Sequence, residues 1–151
     1  MSVYKYSVKD NQNEIKFLIE LQELINDNKF TIKKTKEHYC CVDFDMCYKN
    51  QSIGYIELKC RYQSLKYFNS LIIGSTKLYR INEDYQNTLF VWIDKINDEI
   101  YFLPFTNELL NYKDEIMNGS YVKKIPKHLC KVGKTEFINY IMRGFAPARD
   151  E

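Results

Sequence analysis

The feature that most constrains the fold is a pair of apolar segments joined by a short polar break. Residues 42–48 and 53–62 are rich in β-branched and aromatic side chains, whereas residues 49–52, with the sequence Lys-Asn-Gln-Ser, are turn formers. Segments of this length and composition are typical of β-strands, and the break between them is short enough for a hairpin. The sequence therefore predicts two strands joined by a tight turn.

Ionisable side chains occupy matching positions in the two strands. Side chains alternate between the faces of a strand, so Glu57 and Lys59 share one face, and a turn centred on Asn50 places Asp43 opposite Glu57. Asp45 lies on the same face as Asp43 and replaces it if the turn is displaced by one or two residues; the turn at Asn50 favours Asp43. Carboxylates gathered in this way repel each other, and a divalent cation is the usual compensation.

Composition indicates one globular domain. The chain has 151 residues, of which 45% are hydrophobic, which is enough for one core and too little for two ordinary domains. Because 22 basic and 20 acidic residues leave a net charge of only +2, a surface for nucleic acid must come from local clustering. We expect a single domain over residues 1–151, with a basic C-terminal extension from about residue 120.

Cysteine usage and hydropathy predict the cellular setting. The five cysteines are odd in number and lie mostly in strand-like apolar runs, which favours a reduced, intracellular protein of the cytoplasm or nucleus. No two cysteines are separated by two residues, and His38 and His128 are far apart, so a structural zinc site is not expected. Without a signal-peptide core or a membrane-spanning run, the chain is predicted to be soluble, with no membrane partner. Its richness in Lys, Asn, Ile and Tyr suits an AT-rich viral or bacterial genome.

The N-terminal third is predicted to contain a helix followed by strands. Apolar residues recur at helical spacing over residues 14–28, with Asn13 as the N-cap and residues 26–28 as the helix stop. Residues 1–13 either pair as an edge strand or lie over the core. Residues 30–33 are interpreted as a short strand, and residues 38–48 have the composition of a central strand.

Further elements follow the hairpin. The pattern predicts a helix from Ser75 or Thr76 to about Asp84, and then, in order, strands over residues 88–96 and 99–105, a short helix over 107–117 and a helix over 135–142. This order is typical of an α/β or α+β protein with a mixed central sheet flanked by helices.

The spacing of the ionisable residues resembles the PD-(D/E)xK nuclease superfamily. Asp43 is followed after thirteen residues by the tripeptide Glu57-Leu58-Lys59, and Val42 stands where the proline of the motif would be. The resemblance covers roughly residues 14–105. It implies a small restriction-endonuclease-like or resolvase-like nuclease with a core of order αβββαβ.

The resemblance also implies a chemistry. The chain would hydrolyse phosphodiester bonds in nucleic acid, DNA being favoured over RNA, with Asp43, Glu57 and Lys59 as catalytic residues. Asp43 and Glu57 would hold Mg²⁺, for which Mn²⁺ substitutes, together with the carbonyl oxygen of Leu58. Lys59 would orient or help to deprotonate the attacking water and oppose the charge of the scissile phosphate.

Accessory residues are less sharply defined. Glu14 or Glu20, in the first predicted helix, would supply an additional carboxylate to the site. For both residues, however, the favoured interpretation is a position on the solvated helix surface. Lys77, at the start of the second predicted helix, is either a phosphate contact or an ordinary exposed lysine. Candidate nucleic-acid contacts are Arg61, Lys77, Lys123, Lys124, Lys127, Lys131 and Lys134. Candidates for either core packing or base stacking are Tyr62, Tyr67 and Phe68.

Two other functions fit the same sequence. A catalytically inactive module with the nuclease fold would bind nucleic acid or a protein partner without cutting, and a small interaction protein would use exposed tyrosines as its partner surface. A nuclease with one site per chain needs a homodimer or two encounters to cut both strands of a duplex, so a homodimer is a further hypothesis.

Overall fold

The computed structural model describes residues 8–35 and 42–145, with side chains described over 12–35 and 42–143. Within these residues the α-helices are Val8–Ile25 (α1), Ser75–Asp84 (α2) and Lys134–Tyr140 (α3). The strands are Phe30–Lys34 (β1), Phe44–Tyr48 (β2), Gln51–Arg61 (β3), Ser70–Gly74 (β4), Thr88–Asp94 (β5), Glu99–Pro104 (β6), Glu115–Met117 (β7), Ser120–Pro126 (β8) and Lys131–Val132 (β9).

Two sheets organise these strands. The larger sheet has six strands in the order β1-β2-β3-β5-β6-β9, and only the β3–β5 pair is parallel. The smaller sheet is antiparallel, in the order β4-β8-β7. The predicted α+β class and mixed central sheet are confirmed. The elements α1, β1, β2, β3, α2 and β5 follow the predicted order, with β4 inserted before α2 as part of the smaller sheet.

The central sheet is covered on both faces. Leu89 and Val91 of β5 belong to a core with Phe17 of α1 and Phe137 of α3. The alternate residues of β5 pack instead with α2 and the smaller sheet, in a core that includes Phe90, Trp92, Leu78, Ile73 and Ile125. A strand buried on both faces needs a continuous apolar run, which explains the sequence of residues 88–93.

The β2–β3 hairpin forms as predicted, but its turn lies at a different position and a bulge restores the predicted pairing. Lys49 and Asn50 both have positive φ and make a two-residue turn that pairs Tyr48 with Gln51. This turn alone would place Asp43 opposite Ile56. A bulge next to Met46 and Cys47 shifts the pairing by one residue, so that Phe44 pairs with Ile56 and the next position brings Asp43 opposite Glu57.

Several boundary predictions at the N-terminal end are wrong. Helix α1 begins at Val8, so Asn13 lies inside it and is not an N-cap, and residues 8–13 do not form an edge strand. Residues 1–7 lie outside the described part of the chain. The predicted helix stop is confirmed, because Asn26 follows the last helical residue with a φ of 48°.

Two further predictions require correction. Only Phe44–Tyr48 of the predicted strand 38–48 is seen as a strand, and residues 36–41 lie outside the described residues. The predicted helix over 107–117 is instead a 3-10 turn, Asn107–Asn111, followed by strand β7. Asn118 and Gly119 adopt positive φ and fold β7 back onto β8, so cross-strand pairing overrides the local helical pattern.

The predicted basic extension from about residue 120 is part of the folded structure. Residues Ser120–Pro126 form the middle strand of the smaller sheet, and α3 follows close to the predicted helix over 135–142. Within the described residues Cys47 and Cys130 are free thiols, whereas Cys40 and Cys41 lie outside them. None of the helices in this part of the chain is long and apolar enough to cross a membrane.

Candidate functional site

The hairpin brings Asp43 against the middle of β3. The N–H of Asp43 donates to the carbonyl of Ile56 at 2.9 Å, and its carboxylate Oδ2 accepts the N–H of Leu58 at 2.7 Å. The N–H and C=O of one residue in an antiparallel pair point towards the same neighbouring strand. The carbonyl of Leu58 is therefore directed to the side of the sheet where Asp43 lies.

Glu57 is the second carboxylate of the site. Only 2% of the residue is exposed, and its carboxyl group lies beside that of Asp43, close enough to raise the pKa of Asp43. Its Oε2 also forms an ion pair with Nζ of Lys77, in the first turn of α2. Lys77 is thus held against the predicted site by a buried partner and is not an ordinary exposed lysine.

The carboxyl group of Asp43 lacks sufficient compensation for a negative charge. Burial, together with the neighbouring Glu57 carboxylate, raises the pKa of Asp43 to about 9. The N–H of Leu58 acts in the opposite direction without offsetting these effects, and Glu14 adds to the rise. In the absence of a cation Asp43 therefore keeps its proton at neutral pH.

Lys59 lies beside this pair with its amine desolvated. Burial lowers the pKa of Lys59 to about 8, and the charges of Lys77 and Arg61 act in the same direction. The carboxylates of Glu57 and Asp43 oppose this shift. An ammonium with a pKa near neutrality gives up and regains its proton readily, which is the property needed for general acid–base catalysis.

The two candidate carboxylates of α1, Glu14 and Glu20, differ in their exposure to solvent. Glu14 is 8% exposed and forms an ion pair with Lys34 at 2.8 Å, so the expectation of a solvated position is wrong for Glu14. Glu20 is exposed and lies 3.9 Å from Lys16, as expected for a helix surface. The electrostatic influence of Glu14 on Asp43 places its charge at the margin of the site.

Asp45 lies away from the carboxylate pair. It is opposite Tyr55 in the hairpin, and its Oδ1 accepts a hydrogen bond from the hydroxyl of Ser52 at 2.7 Å. The structure thus brings Asp43, and not Asp45, to Glu57.

The lysines of the predicted basic cluster each have a partner within the described residues. Lys123 is 2% exposed, and its Nζ lies 3.0 Å from the carboxylate of Asp114. The other members have the following partners: Lys124 with Glu115, Lys127 with the carbonyls of Leu65 and Lys66, Lys131 with the ring of Tyr140, and Lys134 with Asp98. Arg61 is exposed at the end of β3. The buried amine of Lys123 is thereby removed from any accessible basic surface.

Carboxylates and a main-chain oxygen make up the donor set. Among the described residues no group of three or more His, Cys, Asp or Glu side chains is arranged to hold a metal ion. The predicted ligands are two carboxylates and the carbonyl of Leu58, which are all oxygen donors. Mg²⁺ retains several waters and accepts such an incomplete protein cage, so these residues fit a magnesium ion.

Sequence reasoning missed two contributors to this environment. The N–H of Leu58 binds Asp43, whereas only the carbonyl of Leu58 was predicted to take part. Lys34, the partner of Glu14, was not predicted to take part. Its position at the end of a strand that pairs with the hairpin could have indicated it.

Comparison with known proteins identifies a similar fold. No protein-family model and no curated protein matches the chain. A solved structure described as that of D212, a nuclease from a fusellovirus, superposes with a TM-score of 0.58 and 19% sequence identity, covering 95% of this chain and 97% of that chain. At this identity the likeness shows the fold. The chain therefore has the α+β fold of a viral nuclease over nearly its whole length.

Proposed function

We propose that the protein is a metal-dependent nuclease that hydrolyses phosphodiester bonds, with DNA favoured over RNA as the substrate. The observation that carries the proposal is the contact between Asp43 and Glu57, next to Lys59, on a fold similar to that of a viral nuclease. Two carboxyl groups forced together and a desolvated lysine are costly to a fold, and such groups cluster at functional sites.

Asp43, Glu57 and the carbonyl of Leu58 would hold Mg²⁺, with Mn²⁺ as a substitute. The cation would take the place of the proton that the buried carboxyl pair retains without it. Bound Mg²⁺ would supply positive charge for the phosphoryl oxygens and lower the pKa of a coordinated water.

The basic groups have separate roles in the proposal. Lys59, whose pKa is lowered to about 8, would accept a proton from the attacking water or orient that water. Lys77 would face the scissile phosphate from the first turn of α2, where the helix N-terminus also favours an anion. Its ion pair with Glu57 would be replaced when a cation and a phosphate occupy the site.

A cleavage assay tests the proposal. Purified protein is incubated with labelled single-stranded, duplex and branched DNA, and with RNA, in the presence of Mg²⁺, Mn²⁺ or EDTA. We expect cleavage that requires the cation and is lost in the Glu57→Gln variant. Asp45→Asn is the matched control, because it alters a carboxylate of the same hairpin that lies away from Glu57 and should leave cleavage unchanged. Failure to cut any substrate with either metal would contradict the proposal.

An inactive binding module is the second candidate. The ion pair between Glu57 and Lys77 favours it, because this pair already neutralises one carboxylate without a metal. Calorimetric titration with Mn²⁺ separates the two candidates. A nuclease should bind the ion in a manner that depends on Asp43 and Glu57, whereas the binding module should take up none and should bind nucleic acid with a steep salt dependence.

A homodimer is part of the proposal for a duplex substrate only. One site per chain would cut one strand, so two copies would be needed for a concerted double-strand cut. Light scattering at the concentration of the cleavage assay tests this, and a strict monomer that cuts both strands in one encounter would contradict it.

A further inference from the structure

A loop after the proposed catalytic strand exposes two aromatic rings. Tyr67 is 87% exposed and Phe68 is 45% exposed, and they lie at the end of the 3-10 turn Leu65–Tyr67 that separates β3 from β4. Exposing rings of this size forgoes hydrophobic stabilisation that burial would supply. The packing of the protein therefore does not account for these two side chains.

The backbone that carries the rings is firmly held. Leu65 is 4% exposed, and its N–H donates to the buried carboxylate of Asp94 at 2.9 Å. Nζ of Lys127 donates to the carbonyl of Leu65 at 2.7 Å, and the amide of Asn97 donates to the hydroxyl of Ser64 at 2.7 Å. The rings are thus presented from a fixed support, which reduces the entropy lost when a ligand binds.

The sequence on both sides of the loop is basic, which favours a polyanion as the ligand. Between Glu57 and Glu83 the chain has no acidic residue, while it carries five basic ones: Lys59, Arg61, Lys66, Lys77 and Arg80. Arg61, at the end of β3, and Lys66, within the 3-10 turn, are exposed. Aromatic rings interleaved with basic side chains are the arrangement by which proteins hold single-stranded nucleic acid.

The loop is also continuous with the proposed active site. Strand β3 leads from Glu57 and Lys59 into the loop, and β4 leads from the loop back to α2, where Lys77 pairs with Glu57. The five residues of β4 span about 15 Å at the rise of a β-strand. A single-stranded nucleic acid of a few nucleotides would cover the length of β4, from the loop to the start of α2.

We propose that Tyr67 and Phe68 stack on unpaired bases of a single strand whose backbone continues towards the carboxylate pair. In a duplex the base faces are already stacked on each other, so the rings recognise single-stranded nucleic acid or an unpaired end. The cleavage of that strand rests on the proposed function, whereas its binding does not.

Binding measured without a divalent cation tests the inference. Fluorescence anisotropy is recorded with a labelled oligothymidine and with a duplex of the same length, in EDTA. We expect the Tyr67→Ala/Phe68→Ala variant to bind the single strand at least about tenfold more weakly and the duplex unchanged. Tyr67→Phe keeps the ring and should bind like the wild type. Tyr121→Ala is the matched control, because Tyr121 is 62% exposed on β8 and is not part of the loop.

The outcomes separate this inference from the proposed function. Equal affinity of the wild type and the double alanine variant for the single strand would overturn the inference, as would an equal loss in the Tyr121→Ala control or on the duplex. Cleavage that depends on Glu57 would still support the nuclease in those cases. Conversely, ring-dependent binding by a protein that cuts nothing would support the inference and contradict the proposed function.

Discussion

Two aspartates of the central sheet are in opposite electrostatic situations. Asp94, at the end of β5, is fully buried and accepts the N–H groups of Leu65, Ile96 and Asn97 as well as the side-chain amide of Asn97, each at 2.8–2.9 Å. Burial alone would raise the pKa of Asp94, but these hydrogen bonds together lower it. Asp43 has one backbone donor and a carboxyl neighbour, and its pKa is raised to about 9.

Two lysines repeat the contrast. Lys123 is buried, yet its hydrogen bonds to the side chains of Asp114 and Tyr79 outweigh burial and raise its pKa. The pKa of Lys59 is lowered to about 8, because the nearby carboxylates do not offset burial and its basic neighbours. The fold thus compensates the charges of Asp94 and Lys123, which help to hold it together. It leaves the charges of Asp43 and Lys59, which we assign to catalysis, poorly compensated.

The largest expected effect is on activity at Lys59. Lys59→Met removes the proton acceptor and should lower the cleavage rate at least about a hundredfold. It also removes a poorly compensated charge, so the free energy of unfolding should stay the same or rise. Cleavage kinetics and urea denaturation measure the two quantities. If Lys59→Met lowered the free energy of unfolding as much as Lys123→Met does, the contrast between the two lysines would be wrong.

A pair of isosteric substitutions compares the two aspartates. Asp94→Asn places an amide against N–H donors and should lower the free energy of unfolding by about 3 kcal/mol. Asp43→Asn removes a carboxyl group that faces Glu57 and should leave the free energy of unfolding unchanged or higher when no divalent cation is present. Urea denaturation in EDTA checks both, and equal destabilisation by the two changes would contradict the comparison.

Lys123→Met is expected to have a smaller effect on stability. The change leaves the carbonyl of Tyr112 and the half-exposed carboxylate of Asp114 without their amine partner, at a cost of about 2 kcal/mol. Thermal unfolding compared with that of Lys124→Met, which alters an exposed neighbour on the same strand, measures the difference. Similar melting temperatures for the two variants would contradict the structural role of Lys123.

The smallest expected effect is a dependence on pH. Because the pKa of Asp94 is lower in the folded chain than its usual value of 3.8, its contribution to stability is complete above that value and is lost as the pH falls towards the folded pKa. The difference in unfolding free energy between the wild type and Asp94→Asn should therefore narrow below about pH 4. Denaturation curves recorded from pH 6 down to about pH 2 measure this difference in unfolding free energy. A difference that stays constant over that range would argue against a lowered pKa for Asp94.

The hairpin could be predicted from the sequence because its signals are local. Alternating side chains and a polar turn fix which residues share a face, and they placed Asp43 opposite Glu57. The bulge beside Met46 had no such signal, since it depends on how the two strands fit together. The predicted pairing was reached only because this bulge offsets the position of the turn.

Long-range partners account for what the sequence did not reveal. Strands β4 and β8 pair across about fifty residues of sequence, and this pairing turns a run of lysines into a strand with a buried Lys123. Glu14 is buried because α1 lies against β1, where Lys34 meets it. No periodicity within either segment reports the partner that the fold brings to it, so charge patterns alone suggested solvated surfaces.

The central claim is that the Asp43–Glu57 pair, in which the charge of Asp43 is poorly compensated, is built to hold a divalent cation. A crystal structure of the protein with Mn²⁺, located by anomalous scattering, tests this claim most directly. We predict a peak bounded by Asp43, Glu57 and the carbonyl of Leu58, and no peak at that position in the Asp43→Asn variant. An empty pair at saturating Mn²⁺, with Glu57 still bound to Lys77, would contradict the claim.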